Sequence, residues 1–187
     1  MTSKIRKLVA GTLVALAGAA TGAQAQMVVN GGFETGDFSG WSETGAIGSV
    51  YGVDSAGPRN ENYSAFFGSS TPSASIWQTL ATTAGLPYRV SFYSDRSAAT
   101  TAGTFSASLG GVQFYADPGF TFPFAEIVVE VTAPSDDAVL MFSADNPTDF
   151  YTLDSVSVAV VPEPASALLW LVGLAAGLAV RRRNPVV

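Results

Sequence analysis

Tyr88-Arg89-Val90-Ser91-Phe92-Tyr93-Ser94-Asp95, residues 88–95, alternates apolar and polar side chains almost without interruption. A β-strand points successive side chains to opposite faces, so Tyr88, Val90 and Phe92 share one face while Arg89, Ser91 and Tyr93 share the other. The stretch is a strand with one dry and one wet side. The same period recurs at residues 125–132, where Ile127, Val129 and Val131 oppose Glu126 and Glu130, and at 104–110, where Phe105, Ala107 and Leu109 align. Residues 75–82, 138–144 and 152–160 also read as strands. Shorter candidates near Val28, at 47–51, 64–67 and 112–115 bring the count to nine or ten. Gaps rich in Gly, Ser, Thr, Pro and Asp separate them, and helical periodicity is scarce. The expected fold is all-β, an antiparallel β-sandwich.

The two ends are written differently. Residues 1–25 open with Lys4, Arg6 and Lys7, run through an apolar core from Leu8 to about Ala20, and close on Ala23-Gln24-Ala25, a small-x-small cleavage site. That order is a secretory signal peptide, and the mature chain is expected to begin at Gln26 or Met27. Residues 165–180 are uncharged and rich in Leu, Ala, Val and Gly. As a transmembrane helix they would cross roughly 24 Å of bilayer, and extension toward Pro162 would bring the span to a typical thickness. Arg181, Arg182 and Arg183 then form a stop-transfer cluster expected on the cytoplasmic side. The expected organisation is a signal peptide (1–25), a sandwich domain (26–160) and a C-terminal tail (161–187).

In that tail Pro162-Glu163-Pro164, one apolar helix and a basic terminus follow each other at the extreme C-terminus. The arrangement resembles the PEP-CTERM proteins. The resemblance implies processing by an exosortase, a membrane cysteine protease or transpeptidase that cleaves near the motif, in a Gram-negative bacterium that makes extracellular polysaccharide. The chain would be held in the membrane by its C-terminal helix before cleavage and reach the cell surface or extracellular matrix afterwards. Physically, Pro162 and Pro164 keep their predecessors extended, so Glu163 lies in an exposed strip that a protease can reach.

Without its ends the chain keeps about 135 residues, enough for one domain with a real core. Its cations are Arg59, Arg89 and Arg96 against fourteen of the fifteen acids, a net charge of −11. Such a surface repels nucleic acid and anionic headgroups, and favours cations and neutral ligands. There is no cysteine and no histidine, and the only lysines are Lys4 and Lys7. Ser-His-Asp triads, Cys-His pairs, Ser-Lys dyads and histidine-based zinc sites are therefore excluded. A glycosidase using two carboxylates stays chemically open, but no pair stands out, and the chain reads as non-catalytic.

The start of the mature chain, with Asn30-Gly31-Gly32-Phe33-Glu34, the central 85–95 and the closing Leu153-Asp154-Ser155-Val156-Ser157-Val158 together resemble the galactose-binding-like jelly rolls. That group includes many carbohydrate-binding modules. The resemblance implies a structural calcium near the meeting of first and last strands, held by Glu34, Asp154 and backbone carbonyls. Ser155 stands where a second acid is frequent in that group. Calcium takes six to eight oxygens, so two carboxylates with carbonyls and water would suffice. Asp145, Asp149 and Asp154 lack the order of a helix-loop-helix calcium loop and read as an acidic loop. Sugars stack their apolar faces on aromatic rings, and Trp41, Trp77 and Tyr93 are the candidate ligand-binding residues, Tyr93 because it falls on the wet face of its strand. The expected role is an exported, non-catalytic protein that binds polysaccharide. Alternatives are a matrix component without a specific ligand and a carboxylate-dependent glycan-active enzyme.

Overall fold

The alternating segments pair into ten strands because each buries an apolar face only when a second sheet covers it. They are β1 (Ser42–Thr44), β2 (Tyr51–Asp54), β3 (Ser64–Phe67), β4 (Ala74–Thr79), β5 (Pro87–Arg96), β6 (Thr104–Leu109), β7 (Val112–Ala116), β8 (Phe122–Thr132), β9 (Val139–Asp145) and β10 (Tyr151–Val160). The computed structural model describes residues 27–44, 50–57, 61–68, 73–96, 103–117 and 122–162. One five-stranded sheet has the order β1-β4-β9-β6-β7 and the other β2-β3-β10-β5-β8, and all ladders are antiparallel. The all-β jelly-roll sandwich read from the sequence is the observed architecture. Among the described residues no helix is long and apolar enough to cross a membrane. The expected signal peptide at 1–25, the apolar segment 165–180, Glu163, Pro164 and the three terminal arginines lie outside them.

Between the sheets the dry faces meet as expected: Tyr88, Val90 and Phe92 of β5, Phe105, Ala107 and Leu109 of β6, and Leu140 and Phe142 of β9 are all buried. Phe92 meets Phe142 edge-on at 5.1 Å and Phe105 lies 5.4 Å from Tyr151. Each such side chain contributes about 1.5–3 kcal/mol of burial, which replaces the restraint that disulfides would give. On β8 the inward Ile127, Val129 and Val131 are only half-buried, because β8 is an edge strand.

Three short elements differ from the sequence reading. Val28 is buried but lies in a turn-rich segment, not a strand. There the backbone pairs with a side chain: Val29 N–H donates to Gln78 Oε1 at 3.0 Å, and Gln78 Nε2 donates to Val29 O at 2.6 Å. A side-chain amide thus stands in for a neighbouring strand. The expected strand at 47–51 begins only at Tyr51, its residues 47–49 lying outside the described ones, while the short edge strand β1 was not anticipated.

Candidate functional site

Three surface regions contain the residues singled out above, Trp41 excepted. The first lies where residues 28–34 cross β10. Asn30 takes a left-handed φ of 50° and donates its Nδ2 to Thr35 Oγ1 at 2.7 Å, Asp37 O at 3.1 Å and Ser39 O at 3.0 Å, closing the loop on itself. Gly31 is held against β10: Val156 N–H donates to Gly31 O at 2.8 Å, and a Cβ on Gly31 would stand 2.1 Å from Val156 O. This crossing brings Glu34 and Asp154 together. A Cβ at Gly32 would lie 3.7 Å from Glu34 Cγ, 3.7 Å from Glu61 Oε2 and 3.9 Å from Asp154 Oδ1. Glu61 is a third acid that the sequence did not reveal as a neighbour.

Two of these carboxylates are already oriented. Glu34 accepts from the backbone N–H groups of Asn62 at 3.1 Å and Tyr63 at 3.0 Å and from Asn62 Nδ2 at 3.2 Å. Desolvation alone would raise its pKa, but the Tyr63 and Asn62 donors together outweigh it and hold the carboxyl below its usual range. Asp154 is 3% exposed and accepts from Ser155 N–H, where β10 bulges and Ser155 takes a φ of 52°. A depression of about 450 Å³ lies over Gly31, Gly32, Glu34 and Glu61. Carboxylate oxygens of Glu61 and Asp154 flanking a glycine that leaves space between them suit a hard cation such as calcium. Among the described residues no three acidic side chains are close enough to hold one metal ion, so any such ion would take its remaining oxygens from carbonyls and water.

The second region is the outer face of the β1-β4-β9-β6-β7 sheet. Its register sets Ser42, Trp77, Met141 and Ser108 in one row, and Thr44, Ser75, Ser143 and Ser106 in the next. The Ser75 and Ser143 hydroxyls bond at 2.6 Å. Neither row carries a charge, in a domain whose net charge is −11. Trp77 is half-buried and edges a depression of about 420 Å³ that Met141, Gly110, Gly111 and Asp137 also line.

The third region is the outer face of the other sheet. Tyr93 lies there, half-buried, its ring stacked on Phe124 at 6.0 Å and paired across the ladder with Asp154. Trp41 belongs to none of the three. It is 8% exposed, stacks on Phe33 at 5.7 Å and donates its ring N–H to Asn30 O, so the ligand role expected for it gives way to a core role. The three aromatic candidates therefore do not form one site.

Comparisons with known proteins add an address and a fold. Residues 160–183 match the PEP-CTERM protein-sorting motif, which implies export, exosortase processing and a surface or extracellular location. No curated protein matches the chain by sequence. Similar solved structures include TmCBM61 in complex with β-1,4-galactotriose, at a TM-score of 0.56 and 20% identity over 73% of this chain and 99% of that one. The CBM22-1 xylan-binding domain of Xyn10C from Paenibacillus barcinonensis follows at 0.52 and 16%, over 71% and 93%. The CBM22-1–GH10 modules of the Clostridium thermocellum xylanase Xyn10B, complexed with xylohexaose, match at 0.54 and 15%, over 74% of this chain but only 29% of that one. At these identities the likeness is one of fold.

Proposed function

We propose that a chain ending in the PEP-CTERM sorting motif delivers a non-catalytic β-sandwich outside the cell, where the uncharged rows around Trp77 bind a neutral polysaccharide. The observation that carries this reading is the half-exposed Trp77 ring, set with Met141 among hydroxyls in rows without charge. An aromatic face supplies the apolar contact a pyranose needs, and flanking serines supply donors and acceptors for its hydroxyls. Neighbours of the same fold, one complexed with galactotriose and one described as a xylan-binding domain, support the ligand class. Sorting in a Gram-negative cell, with the 165–180 segment holding the chain in the membrane until cleavage near Glu163, completes the route.

Calcium has a structural part in this reading, through Glu34 and Asp154 with backbone carbonyls. It would tie residues 28–34 to β10 and offset part of the domain's self-repulsion. Titrating the purified protein with neutral polysaccharides, including the producing cell's own extracellular material, tests the main claim. Saturable binding to at least one supports it, and no binding to any would leave a matrix component without a ligand. For the metal, calcium should raise the melting temperature of the wild-type protein, and Asp154→Asn should remove that rise. An equal rise in the variant would refute the calcium site.

A further inference from the structure

The outer face of the β2-β3-β10-β5-β8 sheet carries a groove that the reading above does not use. Gly52 on β2 leaves room for Phe66 of β3, whose ring comes within 3.0 Å of where a Cβ at position 52 would stand. Phe66 meets Phe150 edge-on at 5.8 Å. These rings line a depression of about 320 Å³ together with Asp54, Asp95, Asp149, Ser64 and Thr152. The ladders set Phe66, Thr152 and Asp95 in one row across the sheet and Asp54 beside Ser64 in the next. Asp54 is fixed by accepting the Ala56 N–H at 3.0 Å, and Asn146 turns the segment before Phe150 by accepting the Asp149 N–H at 3.2 Å.

Acids on the surface of so acidic a domain would mean little without Ser64. It is 1% exposed, and its hydroxyl has no hydrogen-bond partner among the described residues. A buried hydroxyl left unpaired is costly, and it marks a place where a polar ligand atom belongs. A Cβ at Gly57 would sit 3.9 Å from Ser64 Oγ and 3.5 Å from Thr152 Oγ1, so Gly57 stands beside this polar floor without filling it.

The lining selects the ligand. No three acidic side chains among the described residues converge closely enough for a metal ion, so carboxylates spread around a groove suit a larger cation. Aromatic walls attract an ammonium and pack the apolar face of a ring, and hydroxyls bond to hydroxyls. The volume lies at the low end of small-ligand pockets, which run from about 300 to 1,000 Å³. We propose that this groove binds an amino-sugar unit with a free, protonated amine, the ammonium directed to Asp95 and Asp54, the ring on Phe66 and Phe150, and a polar atom satisfying Ser64. It is a site on the opposite face from Trp77 and does not depend on that one.

The test is calorimetric titration of the full chain in detergent with a glucosamine trisaccharide and its fully N-acetylated counterpart. The free-amine form should bind about tenfold or more tightly than the acetylated one, because acetylation removes the charge that the carboxylates pair with. Asp95→Asn and Ser64→Ala should each weaken it about fivefold or more, whereas Glu126→Gln with Glu130→Gln, on the same face but outside the groove, should change it less than about twofold. Ser64→Ala should melt no lower than wild type, since it removes an unsatisfied group, so lost binding in that variant is not lost folding. Equal binding of both sugars, equal loss in the Glu126 and Glu130 variant, or lysine amide binding as tightly as the sugar would overturn the proposal, the last reassigning the groove to a protein partner.

Discussion

Glu34 is a half-buried acid that the fold keeps ionised, because donors from Tyr63 and Asn62 overcome the desolvation it suffers. Asp37 is held low in the same way by the hydroxyls of Ser39 and Thr35 and by the Ser39 N–H. A carboxyl whose folded pKa is depressed adds stability above its unfolded value, and that contribution is lost as the pH falls through the folded value. The melting temperature of Glu34→Gln should therefore approach that of the wild-type protein as the pH falls below about 4. Parallel melting curves from pH 6 to 3 would contradict this. Gly31→Ala should cost about 3 kcal/mol in denaturant unfolding, since the added Cβ meets a backbone oxygen that cannot swing away. At this scale the sequence was partly legible. Glu34 and Asp154 are named together through the resemblance, whereas Glu61, Asp54 and Ser64 are not, because Glu61 comes to Gly32 from the segment before β3 and only the β2–β3 register sets Asp54 beside Ser64. Trp41 was misread since composition cannot tell a core ring from a surface one, and its partner Phe33 sits in a loop without periodicity.

Among the elements, the turn joining β6 to β7 shapes the Trp77 depression. Leu109 pairs with Val112, leaving Gly110 and Gly111 as a two-residue turn at φ of 55° and 80°. Both angles favour glycine, as the tight hairpin turn requires. Gly111→Ala meets open space and should cost about 1 kcal/mol, the price of the left-handed backbone alone. Gly110→Ala should cost more, because its Cβ would come within 2.4 Å of Pro134 Cγ. A denaturant series that ranks the two the other way would show that the turn is not held as described. The long strands were readable because alternation survives wherever one face is dry. Residues 27–41 were not, since Gln78 satisfies Val29 in place of a ladder and leaves no periodic trace.

Over the whole molecule, the rows around Trp77 carry no charge whereas Asp54, Asp95 and Asp149 line the groove on the other sheet, so the two sites should respond differently to salt. Neutral-glycan binding at Trp77 should be nearly independent of ionic strength, whereas amine binding at Asp95 should weaken as salt rises, as screening over about 8–10 Å requires. The sorting motif at 160–183 sets the address, and the sandwich carries whatever is done on arrival. Fold and address were both legible, one from period-two patterning and the other from the order of the tail. The ligand was not, because recognition depends on which side chains share a face. The most direct measurement is tryptophan fluorescence of residues 27–161, which contain only Trp41 and Trp77, during titration with neutral polysaccharides. Because Trp41 is buried, the account predicts a saturable blue shift with protection from acrylamide quenching, both abolished in Trp77→Ala. Binding that persists unchanged in Trp77→Ala, or no response to any polysaccharide, would contradict it.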